Sequence, residues 1–231
     1  MVNYIVTLQC VDVPGIVRAT SAALVAIGGN ILENDQFTDP VTGQFCMRTR
    51  FETATGDIQT VRSRLEGDLA FLSPKLGVRL EDTRRRALIM VSALDHCLAE
   101  LLYRHDHGEL PLDIAAIVSN HPDCALLADR YEIPFYEIPV TADTKRDAET
   151  ELRSLLEVFD VDFVILARYM QVLSPELCSD LSGRIVNIHH SFLPGFEGSR
   201  PYHQAYERGV KLIGATAHFV TSDLDKGPII D

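Results

Sequence analysis

The strongest constraint on the fold comes from residues 87–188, where short apolar runs alternate with longer helical stretches. Each run has four or five residues and is typical of a strand buried on both faces of a parallel sheet: 87–91, 114–118, 135–138, 163–167 and 185–188. Helical spacing is found between them, at 96–103, 123–131 and 145–159. Strands that alternate with helices predict βαβ units and therefore an α/β fold with a doubly wound, mostly parallel sheet.

Residues 1–82 have a different pattern, which predicts a small separate domain. Strands are expected at 4–10, 30–37, 44–51 and 78–80, and helical spacing begins at Ile16 and again at Val61. This βαββαβ order is typical of a ferredoxin-like domain. The polar segment 83–86 is predicted to be a linker, which leaves 87–231 as the second domain.

Charge and cysteine content exclude several classes of function. The chain of 231 residues has 33 acidic and 21 basic residues, a net charge of −12 that disfavours binding to nucleic acid or anionic membranes. No apolar run approaches the ~20 residues that span a bilayer, and no signal peptide is expected at the start. The five cysteines are scattered without CxxC spacing, which favours reduced thiols in a cytoplasmic protein over a disulfide scaffold or structural zinc.

The first candidate for chemistry follows the last predicted parallel strand, in the stretch from Asn187 to Pro194. Ligands of open parallel sheets bind beyond the carboxyl ends of the strands. Strand alternation puts Asn187 and His189 on one face, followed by His190. An amide donor beside an imidazole suits a carbonyl oxygen that becomes negative in a tetrahedral intermediate. The alternative is that the histidines are ordinary strand-end residues.

The second candidate runs from His218 to Pro228, where a β-rich run leads into a polar loop. The Asp225 carboxylate could orient a water molecule or accept its proton. Taken alone, Asp223 and Asp225 in this loop are more typical of a surface turn. Eight histidines require metal to be considered. The five that lie near predicted strand ends (His96, His121, His189, His190 and His218) include no pair with HExxH or HxH spacing, so we predict no metal site. The sequence also lacks GxSxG, GxGxxG and P-loop motifs, and this argues against a serine nucleophile or a bound nucleotide.

These motifs carry a resemblance to known families. The strings Asn187-Ile188-His189 and Asp225-Lys226-Gly227-Pro228 resemble the fold of the folate-dependent formyltransferases. The string from Asp12 to Val17 resembles the strand-to-helix turn of an ACT domain. The combination is similar to the formyltetrahydrofolate deformylase family, to which five further strings also correspond: 96–98, 119–121, 167–170, 189–194 and 201–209.

The resemblance implies an enzyme that hydrolyses 10-formyltetrahydrofolate to tetrahydrofolate and formate, without a metal or cofactor. It would supply formate for purine biosynthesis and balance the one-carbon folate pool. The family's catalytic residues fall on Asn187, His189 and Asp225. Folate contacts are expected from Arg168, Tyr169, Met170, Gln171, Val172, Leu173, His190 and His218. The family normally continues for some tens of residues with a further strand and a long helix, so residues 87–231 are expected to lack these C-terminal elements of the domain.

Two alternatives remain open at this stage. A formyltransferase would use an amine acceptor instead of water. The stretch 92–98 has no glycine to cradle a phosphate and contains Asp95, which favours hydrolysis. A catalytically impaired amino-acid sensor would bind a small effector through its ACT-like domain, with Asp12, Gly15 and Asn30 as candidates. The ACT resemblance also implies a homo-oligomer, a dimer or a tetramer.

Overall fold

The computed structural model describes residues 1–198 and 200–230. The chain divides into two compact units: the first spans Met1–Thr83 and the second begins at Arg84. Each unit has its own sheet and its own buried cluster of apolar side chains.

The first unit is a four-stranded antiparallel sheet with two helices. Its elements are β1 (Val2–Val11), α1 (Ile16–Ala26), β2 (Asn30–Thr38), β3 (Gln44–Thr53), α2 (Ile58–Leu69) and β4 (Lys75–Leu80), with a 3₁₀ turn at Ala70–Leu72. The strand order is β2-β3-β1-β4, the ferredoxin-like arrangement. The four strands and two helices predicted for this part are confirmed, with ends that extend beyond the predicted bounds.

Periodicity explains why these residues form these elements. Tyr4, Val6 and Leu8 lie on one face of β1 and are buried, because residues two apart point to the same side of a strand. Val61, Leu65 and Leu69, four residues apart on α2, complete the same core. Apolar burial of this kind contributes roughly 1.5–3 kcal/mol for each large side chain.

The second unit is a six-stranded sheet with helices on both faces. Its elements are β5 (Arg85–Val91), α3 (His96–Asp106), β6 (Leu112–Ser119), α4 (Ala125–Arg130), β7 (Phe135–Glu137), α5 (Lys145–Val158), β8 (Phe163–Ala167), α6 (Pro175–Asp180), β9 (Ile185–His189), α7 (Pro201–Glu207) and β10 (Thr216–Phe219). The order is β10-β9-β8-β5-β6-β7. Strands β5 to β9 pair in parallel and β10 pairs with β9 antiparallel, so the predicted α/β fold with a mostly parallel sheet is confirmed.

The linker was predicted at 83–86, but Arg85 and Arg86 belong to β5 and pair with the start of β6. The backbone N–H of Arg86 donates to Asp162 Oδ2 at 2.7 Å, and its Nε donates to the Phe159 carbonyl at 2.7 Å. Because partners distant in the sequence satisfy these polar groups, the strand extends into residues whose own polarity indicates a linker.

Two short helices were not predicted. Helices α6 and α7 have six and seven residues, and each begins with a proline at its first position. Fewer than two turns give too little apolar periodicity to recognise from sequence. The longest helix, α5, has 14 residues, and no helix of the described residues is long and apolar enough to cross a membrane.

The order of the strands positions the site. The chain proceeds from β5 through β6 to β7 at one edge and then returns to β8 on the other side of β5. The carboxyl ends of β5 and β8 therefore lie at the point where the winding reverses, where open α/β sheets bind ligands. Strand β9 ends beside them, because Leu166 of β8 is in register with Asn187.

Candidate active site

Asn187 and His218 form a cross-strand pair at the edge of the sheet. The His218 Nδ1 lies 3.0 Å from the Phe219 carbonyl, which accepts only, so Nδ1 carries the proton. Its Nε2 is then the acceptor for Asn187 Nδ2 at 3.1 Å. This contact fixes the orientation of the Asn187 amide. The amide has two N–H bonds, and the second is left to donate to a ligand.

A buried carboxylate lies between two imidazoles. His189 and Asp225 are only 5% and 9% exposed. The His189 Nε2 donates to the Phe196 carbonyl at 2.8 Å, and its Nδ1 faces Asp225 Oδ2 at 3.5 Å. Asp225 Oδ2 also accepts the backbone N–H of Gly198 at 2.9 Å, and Oδ1 lies 3.8 Å from His218 Nε2. The Asp225 carboxylate is thus held by one backbone N–H and has an imidazole on each side.

The loop after β10 folds back on that strand and so buries Asp225. Phe219 donates its backbone N–H to the Pro228 carbonyl at 2.9 Å, and Asp225 adopts a left-handed backbone with φ of 56°. Asp223, two residues earlier, stays exposed. The interpretation of this segment as a surface turn therefore holds for Asp223 and is wrong for Asp225.

Gly227 permits this fold-back, and we expect Gly227→Ala to disrupt it. A Cβ atom at position 227 would lie 1.6 Å from the Phe219 carbonyl oxygen, which is backbone and cannot move aside. The free energy of unfolding should fall by about 2–3 kcal/mol. Thermal or urea unfolding measures the change, with Gly195→Ala as the control, since its Cβ meets its first neighbour at an ordinary 3.5 Å. Equal stability of the two variants would contradict this assignment.

A cleft opens beside these groups. Asn187, His218 and Asp225 line one side, and the other side contains four of the residues predicted to contact folate: Tyr169, Gln171, Val172 and Leu173. Leu166, Cys178 and Val220 add apolar surface. The cleft thus combines a polar wall that can act on a carbonyl group with an apolar wall that suits a flat ring.

The remaining predicted residues lie outside the lining of this cleft. Met170 is 62% exposed, and His189 is buried behind Asp225. His190 lies between the rings of His189 and Tyr202, with centroids 5.4 and 5.2 Å away. Arg168 adopts a left-handed backbone with φ of 58° directly after β8. The sequence places these residues near the site but does not show which of them reach the cleft.

Backbone contacts hold the apolar wall at its two ends. Ser92, which follows β5, accepts the Met170 N–H at 2.9 Å and donates to Asn120 Oδ1 at 2.7 Å. Glu149 of α5 accepts the Ser174 N–H at 2.8 Å and also the Ser174 hydroxyl. Burial, reinforced by the charge of Glu149, raises the pKa of Tyr169 to about 12, which keeps its hydroxyl protonated.

Sequence reasoning missed Ser92, Asn120 and Glu149 as parts of the site. Ser92 and Asn120 directly follow predicted strands, a position that could have marked them. Nothing local connects Glu149 with Ser174, which lies 25 residues further along the chain. Among the described residues there is no group of three or more His, Cys, Asp or Glu side chains placed to hold a metal ion.

The candidate effector residues do not form one site within a single chain. Asp12 and Gly15 follow the end of β1, and Gly15 has φ of 98° before α1. Asn30 lies at the other end of the sheet, because it pairs with Glu52, which in turn pairs with Asn3. Eight residues of strand separate these ends by about 25 Å. Helix α1 brings the chain back along the sheet before β2 begins, and this separates Asn30 from the turn.

Comparison with known proteins agrees with the fold. The model of the formyl transferase family matches residues 85–231, which is the whole of the second sheet from β5 to β10. A solved glycinamide ribonucleotide transformylase from Symbiobacterium toebii superposes with a TM-score of 0.61 and 29% identity, over 66% of this chain and 73% of that one. The fold and the cleft thus define a member of the formyl transferase family.

More similar relatives extend over both units. The formyltetrahydrofolate deformylase of Corynebacterium sp. (strain P-1) is 44% identical over 99% of this chain and 81% of its own length, and that of Bacillus subtilis (strain 168) is 45% identical over 97% and 76%. A formyltetrahydrofolate deformylase crystal structure from Burkholderia mallei matches with a TM-score of 0.94 and 46% identity, over 100% of this chain and 82% of that one. The chain belongs to the formyltetrahydrofolate deformylase family.

Proposed function

We propose that this chain hydrolyses 10-formyltetrahydrofolate to tetrahydrofolate and formate. The observation that carries the proposal is the pair formed by the Asn187 amide and the buried Asp225 carboxylate, which line one cleft with an apolar wall opposite. Family membership supports the same reaction, because the relatives that match nearly the whole chain are deformylases. The scheme uses water and side chains of this protein, without a metal or cofactor.

The geometry assigns a role to each side chain. Asn187, held by His218, donates to the formyl oxygen as it becomes negative. Asp225 orients the attacking water and accepts its proton as the new C–O bond forms. That proton passes to N10 of the folate as the C–N bond breaks, and the formic acid produced loses its own proton to solvent. His189 faces Asp225, not the cleft, so it supports the charge of the carboxylate as protons move.

Water as the acceptor is favoured by the loop after β5. Residues 92–95 contain no glycine, and Asp95 adds a negative charge at the start of α3. A phosphate-bearing amine would meet this charge instead of a Gly-rich phosphate cradle. The likeness to deformylases over the whole chain, compared with 66% for the transformylase, agrees with this choice.

Turnover of 10-formyltetrahydrofolate by the purified chain tests the proposal. Tetrahydrofolate and formate should appear in equal amounts without any amine acceptor. A formyltransferase would instead form product quickly only when an amine is added, and an impaired enzyme would show no turnover from a folded chain. We propose that the reaction takes place in the cytoplasm and that its formate serves purine biosynthesis. Free thiols at all five cysteines support this compartment.

Glu149 should affect the binding of folate, because it holds Ser174 at the end of the segment that forms the apolar wall of the cleft. Glu149→Ala removes two acceptors from Ser174, so the wall loses its fixed end and KM should rise about tenfold, with a smaller change in kcat. Glu149→Gln keeps one acceptor and should recover part of the loss. Glu151→Ala, an exposed residue of the same helix, is the control. Equal losses in KM and kcat, without rescue by Gln, would point to general misfolding instead.

The first unit supports a second, regulatory function. We propose that it is an ACT-like domain that joins copies of this chain into a dimer or tetramer and binds a small amino acid between them. Every residue of the edge strand β2 is exposed, and Phe37 is 63% exposed on it. An edge strand with exposed apolar side chains is a surface that another chain can cover.

Light scattering after size exclusion tests the assembly. The unmodified chain should elute as an oligomer, and Phe37→Glu should shift it toward smaller species because a charge would then be buried. Val25→Glu on helix α1, at a similarly exposed apolar position, is the matched control. A monomer at all concentrations would exclude this proposal. Small amino acids should raise the melting temperature of the oligomer, as any ligand of the native state does.

A further inference from the structure

Arg168 occupies a position in the second unit that the proposed mechanism does not use. It directly follows β8, the strand between β5 and β9. Val91, the last residue of β5, is in register with Ala167, and Asn187 of β9 is in register with Leu166. Arg168 therefore stands at the point where the winding of the sheet reverses, beside the strand end that carries Asn187, His189 and His190.

The side chain of Arg168 has a charge that the described residues do not balance. Their ion pairs include Arg48, Arg50, Arg104 and Arg153 but not Arg168. Arg168 is half-buried, and its Nε is a buried donor without a hydrogen-bond partner. The two terminal nitrogens are not among the buried unpartnered atoms.

The charge of Arg168 acts on neighbouring side chains. The pKa of His190 is lowered, first by burial and then by Arg168, His189 and His96, while Asp225 opposes the effect. Burial raises the thiol pKa of Cys97, and the charge of Arg168 opposes that effect. Among the described residues, no carboxylate forms an ion pair with Arg168 at the carboxyl ends of β5, β8 and β9.

Such an arrangement is costly unless an anion completes it. A non-glycine residue in the left-handed region costs about 1–3 kcal/mol, and Arg168 is held there with φ of 58°. A partly desolvated guanidinium without a partner adds to the cost. A residue that has both a strained backbone and an unpaired charge is typical of a ligand-binding position. The planar fork of a guanidinium matches a carboxylate with two parallel hydrogen bonds.

We propose that Arg168 binds formate as it leaves the catalytic cleft, and that His190 completes this anion site. The proposal rests on the proposed hydrolysis, which produces formate at Asn187, in register with the residue two before Arg168. His190 connects the two places, because its ring lies 5.4 Å from that of His189. Binding the anion away from Asp225 removes a like charge from the carboxylate before the next water enters.

The binding test needs no turnover. The pKa of His190 is followed by NMR of histidine-labelled protein without folate, with His190→Gln to assign the signal. Sodium formate should raise this pKa by roughly half a unit relative to sodium chloride at equal ionic strength, because it neutralises one of the groups that lower it. Arg168→Gln should raise the pKa without formate and abolish the response to it. Arg168→Lys should keep the low pKa but respond weakly, since it lacks the fork.

A matched variant and a second ligand test whether the response belongs to this site. Arg130→Gln removes an exposed guanidinium from the far end of α4 and should leave the response unchanged. A rise with p-aminobenzoylglutamate but not with formate would assign the site to the folate tail and overturn the proposal. Identical pKa values in formate and chloride would overturn it as well. Failure of hydrolysis would be seen separately, in the turnover assay.

Product inhibition gives a second readout. Formate should inhibit the unmodified enzyme, and its inhibition constant should rise about tenfold in Arg168→Gln, which corresponds to about 1.4 kcal/mol. Arg130→Gln should keep the original constant. An unchanged constant in Arg168→Gln would show that formate acts elsewhere.

Discussion

Replacing Asp225 by Asn should reduce kcat for hydrolysis of 10-formyltetrahydrofolate by about a thousandfold or more. The change removes the carboxylate that accepts the proton of the attacking water, and general base catalysis contributes about 10²–10⁴-fold. Loss of the negative charge beside the two imidazoles adds to the effect. The amide keeps one oxygen to accept the Gly198 N–H, so the loop should stay folded.

The measurement is the rate of tetrahydrofolate release under saturating substrate. Asp129→Asn, an exposed carboxylate on α4, is the matched control and should retain the rate of the unmodified chain. Unfolding curves of both variants check that the fold is kept. A rate for Asp225→Asn within tenfold of the control would show that another group activates the water.

Replacing Asn187 by Ala should reduce kcat about 10²–10³-fold. The amide is a donor from β9 that lines the cleft, and removal of one oxyanion donor has this effect in acyl transfer. His218 fixes the amide through Nε2 at 3.1 Å, so the donor is aligned before substrate arrives. Because the interaction strengthens as the oxygen becomes negative, the loss should appear in kcat more than in KM.

Steady-state kinetics of three variants test this role. Ile188→Ala changes the neighbouring residue, which points to the other face of β9, and should have little effect on kcat. His218→Leu leaves the Asn187 amide without its acceptor and should lower kcat by a smaller factor than Asn187→Ala. A main effect of Asn187→Ala on KM alone would assign the amide to ground-state binding of folate.

Local patterns in the sequence were sufficient to predict most of the fold. Each strand of the second sheet from β5 to β9 contains apolar residues, and in β5 and β6 the apolar run is buried on both faces. The alternation along β1 and the four-residue spacing of α2 likewise predict their buried faces. Such signals are carried by neighbouring residues, so they are visible before the chain folds.

The same reasoning did not predict β10 as an antiparallel strand or α6 and α7 as helices. Strand β10 has four residues, and its direction follows from its pairing with β9, which no local pattern encodes. The linker was placed too far along the chain because Arg85 and Arg86 are polar. The hydrogen-bond partners of Arg86, Phe159 and Asp162, lie more than 70 residues away.

The sequence by itself determined the class of fold and the division into two units with different patterns. It also identified Asn187, His189 and Asp225 as candidate catalytic residues. Only the tertiary structure decided what surrounds them. It buries Asp225 between two imidazoles, turns His189 toward that carboxylate and joins Ser92 to Met170 across 78 residues. Among the described residues, it also leaves Arg168 Nε buried without a hydrogen-bond partner. Periodicity is a property of adjacent residues, whereas burial, charge balance and hydrogen-bond partners depend on which distant segments meet.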